Sequence, residues 1–268
     1  MAMPILSSDK FTRVRTIYWA MSTERRMPAA PGMQAAADPA FSYAFLPIVD
    51  TVARKVFSYE ALIRGPGDEP APAVLKQVAY ENRHRFDQDG RAVAIALAVR
   101  LGIECQLNLN FLPGSLHSLP GSILHTLEAA DRCGLARQRI ILEVTEGEVI
   151  DNPTEFDRLI NEYRSVGLKV AIDDFGAGYS GLNLLADFQP DQIKLDMNLV
   201  RGIESRGPRQ AIVRAIAQAC RDLGIEVIAE GVETVEEYRW FADQGVRLFQ
   251  GYLFAKPAFE SLPPVHYP

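Results

Sequence analysis

The stretch AIVRAIAQACRDLGIEVIAE, residues 211–230, carries the plan of the whole chain. Ile212, Val213, Ile216, Cys220 and Leu223 recur at the spacing that gathers them on one face of a helix. Gly224 follows, where a helix C-terminal cap wants a residue tolerant of positive φ. Glu226 to Ala229 is a short β-rich run, and Glu230 ends it with a carboxylate.

The same unit recurs upstream. Phe156, Leu159, Ile160, Tyr163 and Val166 form a second helical pattern, Gly167 caps it, and Leu168 to Asp173 reads as the next strand. Further strand candidates lie at Tyr43 to Val49, Val56 to Ala61, Glu104 to Leu109, Arg139 to Val144, Asp191 to Leu195 and Arg247 to Gly251. Strands alternating with helices imply a parallel sheet with right-handed crossovers, and about eight such units suit a (β/α)8 barrel. The first two candidates break that rule. Only Asp50 to Lys55 part them, too short for a crossover helix, so they are expected to pair as an antiparallel hairpin. The predicted fold is therefore α/β, a modified (β/α)8 TIM-like barrel with one antiparallel strand near the N-terminus.

The 268 residues are 48% hydrophobic, enough apolar side chain to offset the entropy of ordering a core. A formal net charge of −6 argues against a nucleic-acid polymer or an anionic membrane as partner. Cys105, Cys133 and Cys220 fit neither a disulfide framework nor a CxxC motif and read as reduced core thiols, which points to the cytoplasm. The longest apolar run, Ala92 to Val99, is far short of the ~20 residues of a membrane span. Residues 1–40 carry Arg13, Arg15, Arg25 and Arg26, but make a poor signal peptide. They end in the Met/Pro/Ala/Gly stretch Met27 to Ala40, and are expected to be a poorly ordered extension and linker ahead of a domain at 41–268. Met21, Met27 and Met33 leave open a translation start later than residue 1.

Polar residues interrupt these apolar runs at the same end each time. Glu60, Asn108 with Asn110, Glu143, Asp173 with Asp174, Lys194, Glu230 and Gln250 all stand at or near the C-terminal end of a strand candidate. In a barrel that end forms the concave face. Carboxylates converging on one mouth stay ionised only with cations among them. The donors are all oxygen, with neither His nor Cys, so hard ions such as Mg²⁺ or Mn²⁺ are expected rather than zinc. The ligands suffice for two ions about 3.5–4 Å apart, the arrangement that splits phosphodiesters. Lys194 then serves to orient a nucleophile or neutralise substrate phosphate, or else makes a plain salt bridge. Arg64 either grips a phosphate oxygen or lies solvated on the surface. The stretch Gly176 to Gly181 reads as a mobile loop beside the ions, or merely a long turn.

The motifs Tyr59-Glu60-Ala61-Leu62-Ile63-Arg64, Glu143-Val144-Thr145-Glu146, Asp173-Asp174-Phe175-Gly176-Ala177-Gly178-Tyr179-Ser180, Lys194-Leu195-Asp196, Ala229-Glu230-Gly231-Val232-Glu233-Thr234 and Gln250-Gly251-Tyr252 stand in an order that closely resembles the EAL-domain family of cyclic-di-GMP phosphodiesterases. The likeness runs from about Phe41 to Leu262. Asn108-Leu109-Asn110-Phe111-Leu112-Pro113 and Gln189-Pro190-Asp191 are most similar to the EAL halves of proteins that carry a blue-light flavin sensor, for which residues 1–40 are expected to be too short.

The resemblance implies hydrolysis of cyclic di-GMP to linear pGpG with two Mg²⁺ or Mn²⁺ ions. It implies Glu60, Asn108, Glu143 and Asp173 as ligands of one ion, and Asp173, Asp174 and Glu230 as ligands of the other. Lys194 would position the attacking water, with Glu230 as base; Arg64, Glu233 and Gln250 would contact substrate or line the outer ring. Glu146 would anchor the loop after Asp174, a loop also implied in a homodimer interface, and a regulatory protein partner is a further expectation. A non-catalytic cyclic-di-GMP receptor or protein-interaction module on the same barrel is the alternative. The chain departs from the family pattern at Leu46, usually Gln, at Gly65-Pro66-Gly67, where a Trp usually follows Arg64, and at Gly181, usually Ser.

Overall fold

A computed structural model describes residues 38–112, 122–146, 160–177 and 181–268. The expected extension up to residue 37, Pro113, the helical positions Phe156 and Leu159, and residues 178–180 of the expected loop lie outside the described residues. The strands are β1 (Ser42–Asp50), β2 (Lys55–Arg64), β3 (Gln106–Asn110), β4 (Ile140–Thr145), β5 (Lys169–Phe175), β6 (Gln192–Leu195), β7 (Glu226–Ala229), β8 (Leu248–Phe249) and β9 (Ala258–Phe259). Helices α1 (Ala71–Leu75), α2 (Arg83–Arg100), α3 (Ser122–Cys133), α4 (Gly181–Phe188), α5 (Met197–Val200), α6 (Gly207–Leu223) and α7 (Val235–Asp243) fall between them.

Strands β2 to β8 pair in parallel and in sequence order, and β1 joins β8 to β2, closing a barrel of eight. As the short connection predicts, β1 is antiparallel to β2. The reversal is made by Asp50, whose Oδ1 accepts hydrogen bonds from Val52 N (3.0 Å) and Ala53 N (2.8 Å), the local bonding that favours aspartate in turns. The two-residue strand β9, unforeseen in the sequence, pairs antiparallel with β1 through Ala44 and Phe45.

Helix α6 buries Val213, Ile216, Ala217 and Cys220 and ends at Gly224 with φ +73°. The expected apolar face is present, but Ile212 and Leu223 lie at its exposed margin. The run Ala92 to Val99 belongs to α2, which packs against α3 and the outer face of β3 rather than lipid. Among the described residues no helix is long and apolar enough to cross a membrane.

Strand alternation sorts the remaining side chains. Tyr59, Ala61, Leu107 and Leu109 turn outward into the core between strands and helices. Their neighbours Ser58, Glu60 and Asn108 turn into the lumen and are fully or almost fully buried there. Inward side chains of a barrel stack in layers of four from alternate strands. Ser58, Ile141, Gln192 and Leu248 occupy equivalent places on β2, β4, β6 and β8, and two residues further along the chain stand Glu60, Glu143, Lys194 and, just past β8, Gln250.

Candidate active site

That second layer is the floor of the barrel mouth. Gln250 Nε2 donates to Glu60 Oε2 at 2.9 Å, and Lys194 Nζ lies 3.0 Å from the same oxygen and 3.5 Å from Glu143. Odd-numbered strands add the neighbouring groups. Asn108 Nδ2 donates to Glu143 Oε1 at 2.7 Å, and Asn110 Nδ2 to Glu60 Oε1 at 3.3 Å. From β5, Asp173 Oδ1 stands 2.9 Å from Lys194 Nζ, an ion pair without hydrogen-bond alignment. Glu230, one residue past β7, lies 3.5 Å from the ammonium.

Carboxylate oxygens of Glu60, Glu143 and Asp173 all come within 4.8 Å of one another, and so do those of Asp173, Asp174 and Glu230. The two triads share Asp173. Asp174 reaches the second one because its backbone turns into the left-handed region at φ +53°, which aspartate tolerates better than most residues. Buried acceptors remain without a hydrogen-bond partner here, among them Asn108 Oδ1 and Gln250 Oε1. All-oxygen donors, two overlapping triads and spare amide carbonyls suit hard divalent cations.

The electrostatics follow from crowding acids between the buried floor of the mouth and its exposed rim, where Asp174 stands. Burial, with added repulsion from Glu60, pushes the Glu143 carboxyl well above its ordinary range. Burial likewise pushes Glu230 up to about 8, with Asp173, Glu60 and Asp174 adding to it against the pull of Lys194. Asp174, exposed at the rim, is raised by partial desolvation of its carboxyl and by Asp173. Asp173 alone goes the other way, because Lys194 outweighs its burial. Burial also works against the charge on Lys194, but Asp173, Glu143, Glu60 and Glu230 together overcome it and hold the amine protonated.

Glu146, just past β4, accepts a 2.6 Å hydrogen bond from Gly176 N, two residues beyond Asp174. Two expected site residues are placed outside this knot. Arg64 turns back to donate to the Ile63 carbonyl oxygen and lies 3.5 Å from Asp68. Glu233 is exposed and paired with Arg201. Leu46 faces Glu60 directly across the β1–β2 pair, on the same side of the sheet.

Sequence reasoning did not assign Asn110 or Asp196. Asn110 follows Asn108 at strand spacing, so its inward direction was readable. Asp196 is buried, caps α5 by accepting from Asn198 N at 2.9 Å, and adds to the field that raises Asp174. Gly251, which follows Gln250, has φ +153°, and a Cβ there would meet Val232 O at 2.1 Å and Val232 N at 2.4 Å.

The EAL domain family profile matches residues 33–257. Among curated proteins, the chain is 37% identical over 227 residues to the blue light- and temperature-regulated antirepressor BluF of Escherichia coli K12, covering 84% of this chain and 56% of that one. It is 31% identical over 252 residues to the probable cyclic di-GMP phosphodiesterase PdeN of the same organism, covering 90% of this chain and 48% of that one. The chain thus spans about half the length of these relatives. Among solved structures, the c-di-GMP-bound form of a standalone versatile EAL protein from Vibrio cholerae O395 superposes with a TM-score of 0.82 at 45% identity, covering 86% of this chain and 98% of that one. By fold, by motif and by this match along most of its length, the chain belongs to the EAL domain family.

Proposed function

We propose that this chain hydrolyses cyclic di-GMP to linear pGpG, with two Mg²⁺ or Mn²⁺ ions held at the barrel mouth and residues 41–268 as the working unit. The observation that carries the reading is the pair of carboxylate triads sharing Asp173, with Asn108 Oδ1 unpartnered beside them. Glu60, Asn108, Glu143 and Asp173 would hold one ion, and Asp173, Asp174 and Glu230 the other. When bound, the ions would activate a water at neutral pH and stabilise charge on the phosphate oxygens.

The residues themselves supply the rest. Water adds to one phosphorus of the cyclic diester, the bond from that phosphorus to the ribose 3′ oxygen breaks as that oxygen takes up a proton from solvent to become a hydroxyl, and the linear dinucleotide leaves with a 5′ phosphate. The Lys194 ammonium, held charged, orients the attacking oxygen and faces the negative charge that develops. Glu230, 3.5 Å from the Lys194 ammonium in the metal-free site, would take a proton from that water as base. Asn110 and Gln250 fix the Glu60 carboxylate in place.

Incubation of the purified protein with cyclic di-GMP and Mg²⁺ or Mn²⁺, followed by chromatography, tests the proposal. Linear pGpG should form and should be lost in Glu60→Ala. The likeness to an antirepressor keeps a receptor role as the alternative. Tight cyclic di-GMP binding without any linear product would establish that role and refute hydrolysis.

A further inference from the structure

Lys194 is fully buried. Its ammonium lies 2.9 Å from Asp173, 3.0 Å from Glu60 and 3.5 Å from both Glu143 and Glu230. These four acids come from both triads, and the nearest is the residue the triads share. Among the described ion pairs, Lys194 is the cation common to all four. Hydrogen bonds from Asn108, Asn110 and Gln250 reach Glu143 and Glu60, but an amide brings no net charge. Buried carboxylates without a counter-charge are costly, and removing the one partner of such a group is strongly destabilising.

We propose that Lys194 is a resident place-holder for the divalent cations: in the metal-free protein its ammonium sits at the junction of the two triads, keeps the acids gathered and compensated, and competes with the ions that replace it. This rests on the reading of the triads as a cation site and not on hydrolysis. The physical logic is one of charge. A single monovalent group cannot neutralise four acids, so it holds them without binding them strongly enough to exclude ions of charge +2. An incoming ion finds the ligands already assembled and meets one repelling charge. Any role of Lys194 toward the attacking water is separate, because it requires the ions and the substrate, whereas the place-holder acts in their absence.

The full chain, freed of metal with chelator, serves for the test, with thermal unfolding and Mn²⁺ titration as readouts. Lys194→Met should lower the Tm of the metal-free protein by about 10 °C. It should also bind Mn²⁺ about tenfold more tightly or better, since a positive charge has left the site. Adding Asp173→Asn to Lys194→Met removes the negative charge that lies nearest the lost positive one, and should recover much of the Tm of the metal-free protein. Should Lys194→Met fail to fold without metal, Mn²⁺ or the added Asp173→Asn should restore folding. The proposal is overturned if metal-free Lys194→Met keeps the parent Tm, if its Mn²⁺ affinity falls, or if the double variant is no more stable than the single one. A protein that meets these expectations yet yields no pGpG would keep the place-holder and refute the hydrolase.

Discussion

Gly251→Ala is expected to loosen the barrel mouth through the backbone alone. Gly251 follows the Gln250 that touches Glu60, and the segment around it is tied to the turn after β7. Val232 N donates to Gln250 O at 3.0 Å, Leu253 N to Val232 O at 3.1 Å, and Gln250 N to Ala229 O at 2.9 Å. A methyl group on Gly251 would come within 2.1 Å of Val232 O, far inside contact distance, and the atom it meets is main chain that no rotamer change can move aside. The φ of +153° is itself a conformation that alanine rarely adopts. Relief requires parting residues 250–253 from the turn at Gly231 and Val232, which displaces Glu230 and Gln250 together. Overpacking of this kind costs about 3 kcal/mol, which in a domain of this size lowers Tm by about 6–12 °C. Thermal unfolding monitored by circular dichroism measures the first effect. A Mn²⁺ titration below the new Tm measures the second, a weakened affinity caused by the displaced Glu230. A variant with the parent Tm and the parent Mn²⁺ affinity would refute the claim that this close approach sets the geometry of the mouth.

Three further expectations concern the same ring. Leu46 stands opposite Glu60 on the shared face of the β1–β2 pair; Leu46→Gln should restore a polar substrate contact and lower KM while kcat changes less than about twofold, and an unchanged KM in steady-state hydrolysis of cyclic di-GMP would sink the idea. Glu230 titrates near 8 and Glu143 is also raised, so ion binding must expel protons: Mn²⁺ affinity should climb between pH 6.5 and 8.5, with proton release visible by calorimetry in buffers of different ionisation enthalpy. The sign reverses for the metal-free fold. A carboxyl raised in the folded state stabilises it fully below the unfolded pKa, near 4.5, and ceases to do so as pH rises through about 8. The contribution of Glu230 to metal-free stability should therefore fade across that interval, and a Glu230→Gln variant whose metal-free Tm follows the same pH dependence as the parent would contradict the assignment.

Much of this architecture was legible because the barrel writes itself twice into the sequence, once as alternating apolar runs and once as the polar residue that ends each run. Strand β7 matches the run Glu226 to Ala229 residue for residue. The positions that were opaque have physical reasons. Helix α2 carries its buried residues as a continuous block from Arg91 to Ile95 and beyond, so no periodic stripe announces it. Strand β9 is two residues long and exists because β1 offers an edge where β8 stops, a tertiary circumstance. Within the site, spacing identified which residues follow a strand but not which way a turn then throws them. Glu230 continues the line of β7 into the mouth, whereas Glu233 falls in the turn before Thr234 caps α7 and reaches Arg201 instead. Arg64 shares the inward side of β2 with Glu60, yet at the strand's last residue its side chain is free to fold back onto the carbonyl of Ile63.

The reversed direction of β1 settles how the polypeptide meets its own two poles. Ser42 lies beside Arg64, at the finishing end of β2, so the backbone arrives at the acidic rim and descends from there. In an all-parallel barrel it would arrive at the far pole. The closing segment likewise leaves the rim, running from β9 beside Ala44 down to Tyr267, whose ring sits under Arg54 in the hairpin bend. Any module spliced ahead of Phe41 is thereby delivered to the doorway of the site, while one appended after Pro268 hangs from the opposite pole.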